Sequence, residues 1–328
     1  MRAVVMEAFG PPETALVKEL PSEAPGPGEV LVRARAAGVN YPDLLVVEGK
    51  YQHKPPLPFT PGKELAGEIA AVGEGVTRWA PGDRVMAQVE YGAFAEAVIA
   101  RADQCFALPE GMAFSDAAAM GLVYQTAWFA LLDRGGFRPG ETVLVMGATG
   151  GVGMAAIQLV KALGGVALAG VTTMAKAGAA VDAGADQVID LSGENLRDGL
   201  RAQVQAVTDS RGADICIDPL GGDPFDAAMR ALAWCGRMVV VGFAAGRIPV
   251  IKANYLLVKN IAVSGLQWSD YRDRTPERMA EAQAEIFRLH TDGKLRANVT
   301  ARYPLDRMAQ ALAVIRDRRV IGKVVLEI

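Results

Sequence analysis

The sequence predicts an α/β protein of two domains: a compact all-β, barrel-like unit, and a doubly wound unit with helices on both faces of a parallel sheet. Three observations carry this. The chain has 328 residues, which at about 150 residues per domain suggests two separate cores. Up to about Gly121, short β-rich runs are cut by turn residues. From about Tyr124 onward, apolar strand-like runs alternate with alanine-rich helical ones, the grammar of repeated βαβ units.

In the first half RAVVM, EVLVRARAAGV, ELAGEIAAVGEGV, DRVMAQV and FAEAVIA read as strands, and PSEAPGPGE, KPPLPFTPG and WAPGD as the loops between them. In the second half TVLVMGA leads to helix GMAAIQLVKALG, VALAG to AKAGAAVDAG, and DICID to PFDAAMRALAWCG, followed by strand RMVVVGF. After LLVKNIAVSGLQWSD come the helix PERMAEAQAEIFRLHTDG, a short strand, the helix DRMAQALAVIRDRR and a final strand KVVLEI. These terminal pieces are expected to return to the first domain. The predicted domains are residues 1–123 with 267–328, and 124–266.

Composition excludes several function classes. Apolar residues make up 51% and charged residues 22%, an ordinary globular balance. A net charge of −3 lacks the basic footprint of a nucleic-acid binder. The start MRAVVMEAFG reads as a strand and not as an export signal. The most apolar stretch, Val143 to Val160, contains Gly147, Gly150, Gly151 and Gly153, a poor lipid-spanning composition. No membrane partner is expected, and the cytoplasm is the expected location. Cys105, Cys216 and Cys235 are too far apart for a disulfide framework or a cysteine-rich zinc site, and Cys216 and Cys235 are expected to fill core positions.

The strongest local motif is VLVMGATGGVGMAAIQLVKALG, residues 143–164: a buried strand, a glycine turn and a helix. Ala148, Gly150 and Gly153 occupy the three positions of a dinucleotide fingerprint, with alanine in the first. Gly150 lets backbone approach a pyrophosphate. The helix opening at Gly151 and Val152 offers free N–H groups and a positive dipole end, and Gly153 allows close packing of helix on sheet. At the end of the next strand, where an NAD site carries an acidic residue on the ribose hydroxyls, this chain has Thr172, Thr173 and Lys176. Two hydroxyls and a cation suit a 2′-phosphate, so NADPH is the expected cofactor.

Taken with AAGVNYPDLLVVEGKY at 36–51 and PGKELAGEIAAVGEG at 61–75, these segments resemble the medium-chain dehydrogenase/reductase superfamily, in particular its zinc-free quinone oxidoreductase branch, which includes zeta-crystallin. The likeness extends over nearly the whole chain, through GADQVID, GRMVVVGFAAG, NYLLVKNIAVSG and IGKVVLEI. It implies a GroES-like β-barrel catalytic domain joined to a Rossmann NADP-binding domain, with nicotinamide and substrate held in the cleft between them. It also implies hydride transfer to a quinone or other conjugated carbonyl, and a homodimer paired through the strand around IAVSGL.

Zinc-dependent relatives read GHE where this chain reads Gly62-Lys63-Glu64. Catalytic zinc needs about three protein ligands. The chain has only His53 and His290, lacks the cysteine expected near Gly38, and runs MAQVEYGAFAEA through the region of the structural-zinc lobe. No metal is expected, and the glycines and Glu64 of the opening segment read as scaffold. Hydride delivered to a quinone or enone leaves a delocalised anion, which requires hydrogen-bond donors more than a metal. The resemblance places Asn40 and Tyr51 as the catalytic polar residues, Tyr51 being protonated at neutral pH, with Asp43 orienting their loop. It adds Thr126, Phe243, Ala244 and Leu266 at the nicotinamide end and Arg318 at the 2′-phosphate. Leu45 and Leu191 depart from the family's aromatic positions. Two other functions remain open: an enoyl-thioester or enone reductase, and a non-catalytic NADPH-binding protein.

Overall fold

The computed structural model describes residues 1–328. The chain divides into two compact units, one comprising Met1–Leu122, Arg272–Thr291 and Arg296–Ile328, the other Val123–Tyr271 and Asp292–Leu295. In the first unit β1 (Arg2–Val5) pairs with β2 (Leu16–Glu19). There follow β3 (Glu29–Val39), helix α1 (Tyr41–Val47), β4 (Glu64–Val72), β5 (Arg84–Gln88), β6 (Ala97–Arg101), β7 (Cys105–Ala107) and helix α2 (Phe114–Ala119). Helix α1 interrupts the stretch read as all-β. Its apolar residues Leu44, Val46 and Val47 are buried with the strands, and Gly49, at φ +67°, ends it.

The second unit opens with α3 (Leu122–Trp128), whose first residue still belongs to the first unit. It continues through β8 (Thr142–Met146), α4 (Gly151–Ala162), β9 (Val166–Val171), α5 (Ala177–Asp182), β10 (Gln187–Asp190), α6 (Leu196–Ala206), β11 (Ala213–Asp218), α7 (Gly222–Ala231), β12 (Leu232–Val240), α8 (Ala253–Lys259) and β13 (Ala262–Gly265). The sheet is parallel throughout, in the order β10-β9-β8-β11-β12-β13. Strand order reverses between β8 and β11, and ligands of such sheets bind outside the carboxyl ends of the strands at this point. Two readings change here. The helix expected over PFDAAMRALAWCG stops at Ala231, and LAWCG begins β12. Cys235 is exposed, in a left-handed backbone at φ +60°, so it is not a core residue, whereas Cys216 is buried as expected.

After α9 (Trp268–Arg274) and α10 (Pro276–Thr291), β14 (Val299–Pro304), α11 (Met308–Arg316) and β15 (Lys323–Glu327) complete the first unit. Its seven-stranded path runs β14-β15-β3-β4-β5-β7, with β6 also on β3. The last strand thus lies antiparallel beside β3, pairing Val324 with Val39 and Val325 with Gly38. This register sets Lys323 against the end of β3, where the chain turns into α1. No helix is long and apolar enough to cross a membrane.

Candidate functional site

The first unit contains a buried polar cluster at the turn from β3 into α1. Glu64, at the start of β4, is fully buried. Its Oε1 accepts from Asn40 Nδ2 at 2.9 Å and from Lys323 Nζ at 2.7 Å, and its Oε2 accepts from the backbone N–H of Leu122 at 2.6 Å. Lys323 spends its other N–H groups on Asn40 Oδ1 at 2.7 Å and the Val39 carbonyl at 3.2 Å. A buried charge pair is tolerated only when its remaining hydrogen-bonding capacity is met, and here it is. Two glycines make the room. A Cβ on Gly38 would lie 2.4 Å from Glu64 Oε1 and 2.3 Å from the Ala118 carbonyl, and one on Gly121 would lie 2.4 Å from Glu64 Oε2.

Asn40 donates its second amide hydrogen to the Gly38 carbonyl at 3.3 Å. Both hydrogens are therefore engaged within the fold. Asp43, in the first turn of α1, reaches back to the Asn40 backbone N–H at 2.8 Å, the cap expected of a carboxylate at a helix N-terminus. Its other oxygen, Oδ1, is buried without a hydrogen-bond partner. Burial pushes its carboxyl up to about 7, against the attraction of Lys63, the Asn40 N–H and Lys323.

Tyr51 follows the end of α1, its backbone N–H donating to the Leu45 carbonyl at 3.1 Å. Burial, reinforced by the charges of Glu90 and Asp43, pushes its phenol up to about 12. Its ring is capped by Lys63, whose ammonium stands 4.8 Å from the ring centroid. Lys63 is 2% exposed and donates to the Glu90 carboxylate at 2.7 Å and the Glu90 carbonyl at 2.9 Å. Glu90 in turn accepts from Arg272 at 2.8 Å, and Arg272 pairs with Asp273. His53 is an exposed loop residue, and no three of His, Cys, Asp and Glu stand where they could share a metal ion.

The second unit holds the glycine turn. Gly147, at φ +60°, turns the chain out of β8, and Gly150 caps α4. The first turn of α4 leaves the N–H groups of Gly151, Val152 and Gly153 without intrahelical acceptors. A Cβ on Gly150 would meet only the Gly147 carbonyl, at 3.5 Å, whereas one on Gly153 would lie 2.4 Å from that carbonyl and 2.7 Å from Ala148 Cα. Gly153 is thus demanded by packing. Gly150 is not, and its missing side chain leaves open approach to the N–H groups, which fits a pyrophosphate. Ala148 is buried and its N–H donates to the Gly170 carbonyl at 3.1 Å.

Thr172 and Thr173 are exposed just past β9, and Lys176 is half-buried, its ammonium pulled below the ordinary lysine value by burial. Leu191 lies against Gly170 as a core residue. Thr126 is buried in α3. Past β12, Val241, Ala244 and Ala245 donate to the carbonyls of Asp218, Pro219 and Leu220, which folds the Phe243 loop onto the end of β11. Leu266 extends the β13 pairing by donating to the Val240 carbonyl at 3.0 Å. The expected residues of this unit thus gather at the carboxyl ends of β8, β9, β12 and β13, apart from Thr126. Arg318 belongs to the first unit, exposed in a left-handed turn after α11.

Sequence reasoning missed Lys323, Glu90, Arg272 and Asp218, and took Glu64 as scaffold. Asp218 is buried at the end of β11, raised to about 6 by burial against the N–H groups of Leu220 and Gly221. The available signal was a charged residue within an apolar strand, as in DICID or KVVLEI.

Comparison with known proteins fits this geometry. Residues 26–110 match the alcohol dehydrogenase GroES-like domain and residues 183–326 the zinc-binding dehydrogenase family. The quinone oxidoreductase-like protein 2 homolog of Nematostella vectensis is 35% identical over 327 residues, covering 99% of this chain and 88% of its own. The chain belongs to the medium-chain dehydrogenase/reductase superfamily, among its quinone oxidoreductase-like members. Two solved structures of this superfamily member's relatives cover all of it. A probable oxidoreductase from Mycobacterium abscessus is 36% identical with a TM-score of 0.90 and 99% of its chain covered. Escherichia coli quinone oxidoreductase, solved in complex with NADPH, is 30% identical with a TM-score of 0.92 and 100% covered. As a superfamily member the chain is an oxidoreductase with a GroES-like unit and a Rossmann-type parallel sheet.

Proposed function

We propose that this protein is a metal-independent reductase that uses NADPH to reduce a conjugated carbonyl, a quinone or an enone. The observation that carries the reading is a protonated phenol, Tyr51, backed by a buried ammonium, Lys63, at the position where zinc-dependent relatives have histidine. NADPH, when bound, supplies a hydride from its reduced nicotinamide ring.

The chain's own residues bind, orient and stabilise. The N–H groups after Gly150 hold the pyrophosphate, and Thr172, Thr173 and Lys176 receive the 2′-phosphate. Phe243, Ala244, Leu266 and Thr126 shape the nicotinamide end. Tyr51 donates a hydrogen bond to the oxygen on which negative charge develops, with its proton retained near neutral pH. Asn40, locked between Glu64 and Lys323, fixes the start of helix α1, and Tyr51 follows the end of that helix. In this reading the first unit is the catalytic domain and the second the NADP-binding domain, in the cytoplasm.

A substrate panel tests this: oxidation of NADPH and NADH in parallel with 1,2-naphthoquinone and simple enones, with metal analysis of the protein. Turnover with NADPH and without stoichiometric metal is expected; no turnover with either acceptor class overturns it. About tenfold higher specificity for crotonyl-CoA, equal to about 1.4 kcal/mol at the transition state, makes it an enoyl-thioester reductase instead. NADPH binding without turnover on any acceptor makes it a nucleotide-binding protein.

We also propose a homodimer. β13 is an edge strand of the parallel sheet, and Trp234, Leu257 and Val258 are 79%, 81% and 77% exposed. An unpaired edge flanked by large apolar side chains suits a second copy. Sedimentation showing only monomer at micromolar concentration overturns this.

A further inference from the structure

We propose that Lys63 is a positioning residue for catalysis that holds the Tyr51 ring and strengthens its hydroxyl as a hydrogen-bond donor. This deepens the function proposed above and rests on Tyr51 being the donor. The ammonium is sealed from solvent and anchored to Glu90, both through the carboxylate and through the backbone carbonyl. Glu90 is held from its other oxygen by Arg272. The lysine therefore cannot swing away to water, and the ring beside it is pinned by a cation on its face.

A cation on the face of a phenol stabilises the phenolate relative to the phenol, because the negative charge is delocalised into the ring it touches. The hydroxyl becomes a better donor to an oxyanion. The other charged groups acting on Tyr51 are Glu90 and Asp43, which oppose its ionisation, and Arg272, which favours it. Lys63 offsets Glu90 directly by pairing with it. When hydride, with its two electrons, reaches the β-carbon of an enone, the C=C pair shifts and leaves an enolate oxygen, while the nicotinamide is oxidised. The enolate carbon then takes its proton from water. Tyr51 is neither consumed nor oxidised; it carries the hydrogen bond while the charge exists. Lys63 in this way supplies electrostatic support where zinc-dependent relatives use a metal ligand.

The test has one readout that needs no turnover. 3,5-Difluorotyrosine placed at position 51 has a phenol acidic enough to titrate while a lysine is still charged, and its ionisation is followed by 19F NMR. In K63M protein its acid constant is expected to fall about tenfold, one pKa unit. In kinetics, K63M is expected to lower kcat about tenfold with little change in KM, K63R to recover most of the loss, and K63M to add nothing in a Y51F background. K63M takes from Glu90 one of its two cations, so if the single variant does not fold, K63M/E90Q is compared with E90Q, which carries the same change at Glu90. An unchanged 19F titration, or a K63M loss that persists in full in the Y51F background, overturns the role of Lys63 and leaves Tyr51 as donor. A wild-type rate for Y51F removes the donor itself and this proposal with it.

Discussion

Lys323, from the last strand of the chain, meets Glu64, from the fourth, at 2.7 Å with both side chains sealed from solvent. The two are joined through Asn40, so the C-terminal strand locks the turn from β3 into α1. A buried carboxylate deprived of its cation is left with uncompensated charge. K323M is expected to cost about 3–5 kcal/mol of stability, read by urea unfolding. A loss under about 1 kcal/mol would show that Leu122 N–H and Asn40 suffice to hold Glu64.

The two glycines of the nucleotide turn are expected to separate folding from binding. In G153A the new methyl meets backbone at 2.4 Å and must displace it, so a loss of about 1–3 kcal/mol is expected. In G150A the methyl meets nothing closer than 3.5 Å, so stability should hold within about 0.5 kcal/mol. NADPH affinity of G150A should nevertheless fall by about tenfold or more, because the methyl stands on the approach to the N–H groups. Fluorescence titration beside thermal melts checks both, and unchanged affinity in G150A would place the pyrophosphate elsewhere.

Asp43 gives a pH dependence of defined sign. Its carboxyl is raised from the ordinary value to about 7, so folding favours the protonated form. The contribution is full below about pH 4 and is lost as pH rises through about 7. D43N retains an acceptor for the Asn40 N–H and has no charge to bury. It should match wild type near pH 4 and exceed it at pH 8, by on the order of 2–4 kcal/mol. Lys63, Lys323 and Glu64 act on this group, so equal stability of D43N and wild type at both pH values would show that the two lysines offset its burial and leave its carboxyl at the ordinary value.

Cofactor preference should respond to one half-buried cation. K176A is expected to weaken NADPH binding about tenfold while leaving NADH unchanged, because only the 2′-phosphate distinguishes them. The difference should shrink at about 1 M salt, where screening acts over about 3 Å. Equal loss for both nucleotides would mean that Lys176 acts on the shared pyrophosphate or on the fold.

The glycine turn was legible because its signal is local: strand, turn and helix lie within about twenty consecutive residues, and each glycine's task follows from backbone geometry. Tyr51 and Asn40 enter as candidates only through family likeness. What Asn40 does was not legible, since its amide partners stand 24 and 283 residues away. Cys235 was misjudged because an apolar run does not show where a strand breaks its ladder: Cys235 lies in a left-handed backbone between Leu232 and Arg237, the β12 residues that flank a register shift on β11.

The sequence by itself determined the parallel-sheet unit and the glycine turn, since periodicity and glycine spacing are properties of neighbouring positions. Only the tertiary structure decided that Glu64, Lys323 and Asn40 form one buried network and that Lys63 caps Tyr51. The physical reason is that burial of charge is affordable only where partners from distant strands converge, and the register of β15 on β3 and of β4 on β3 creates that convergence.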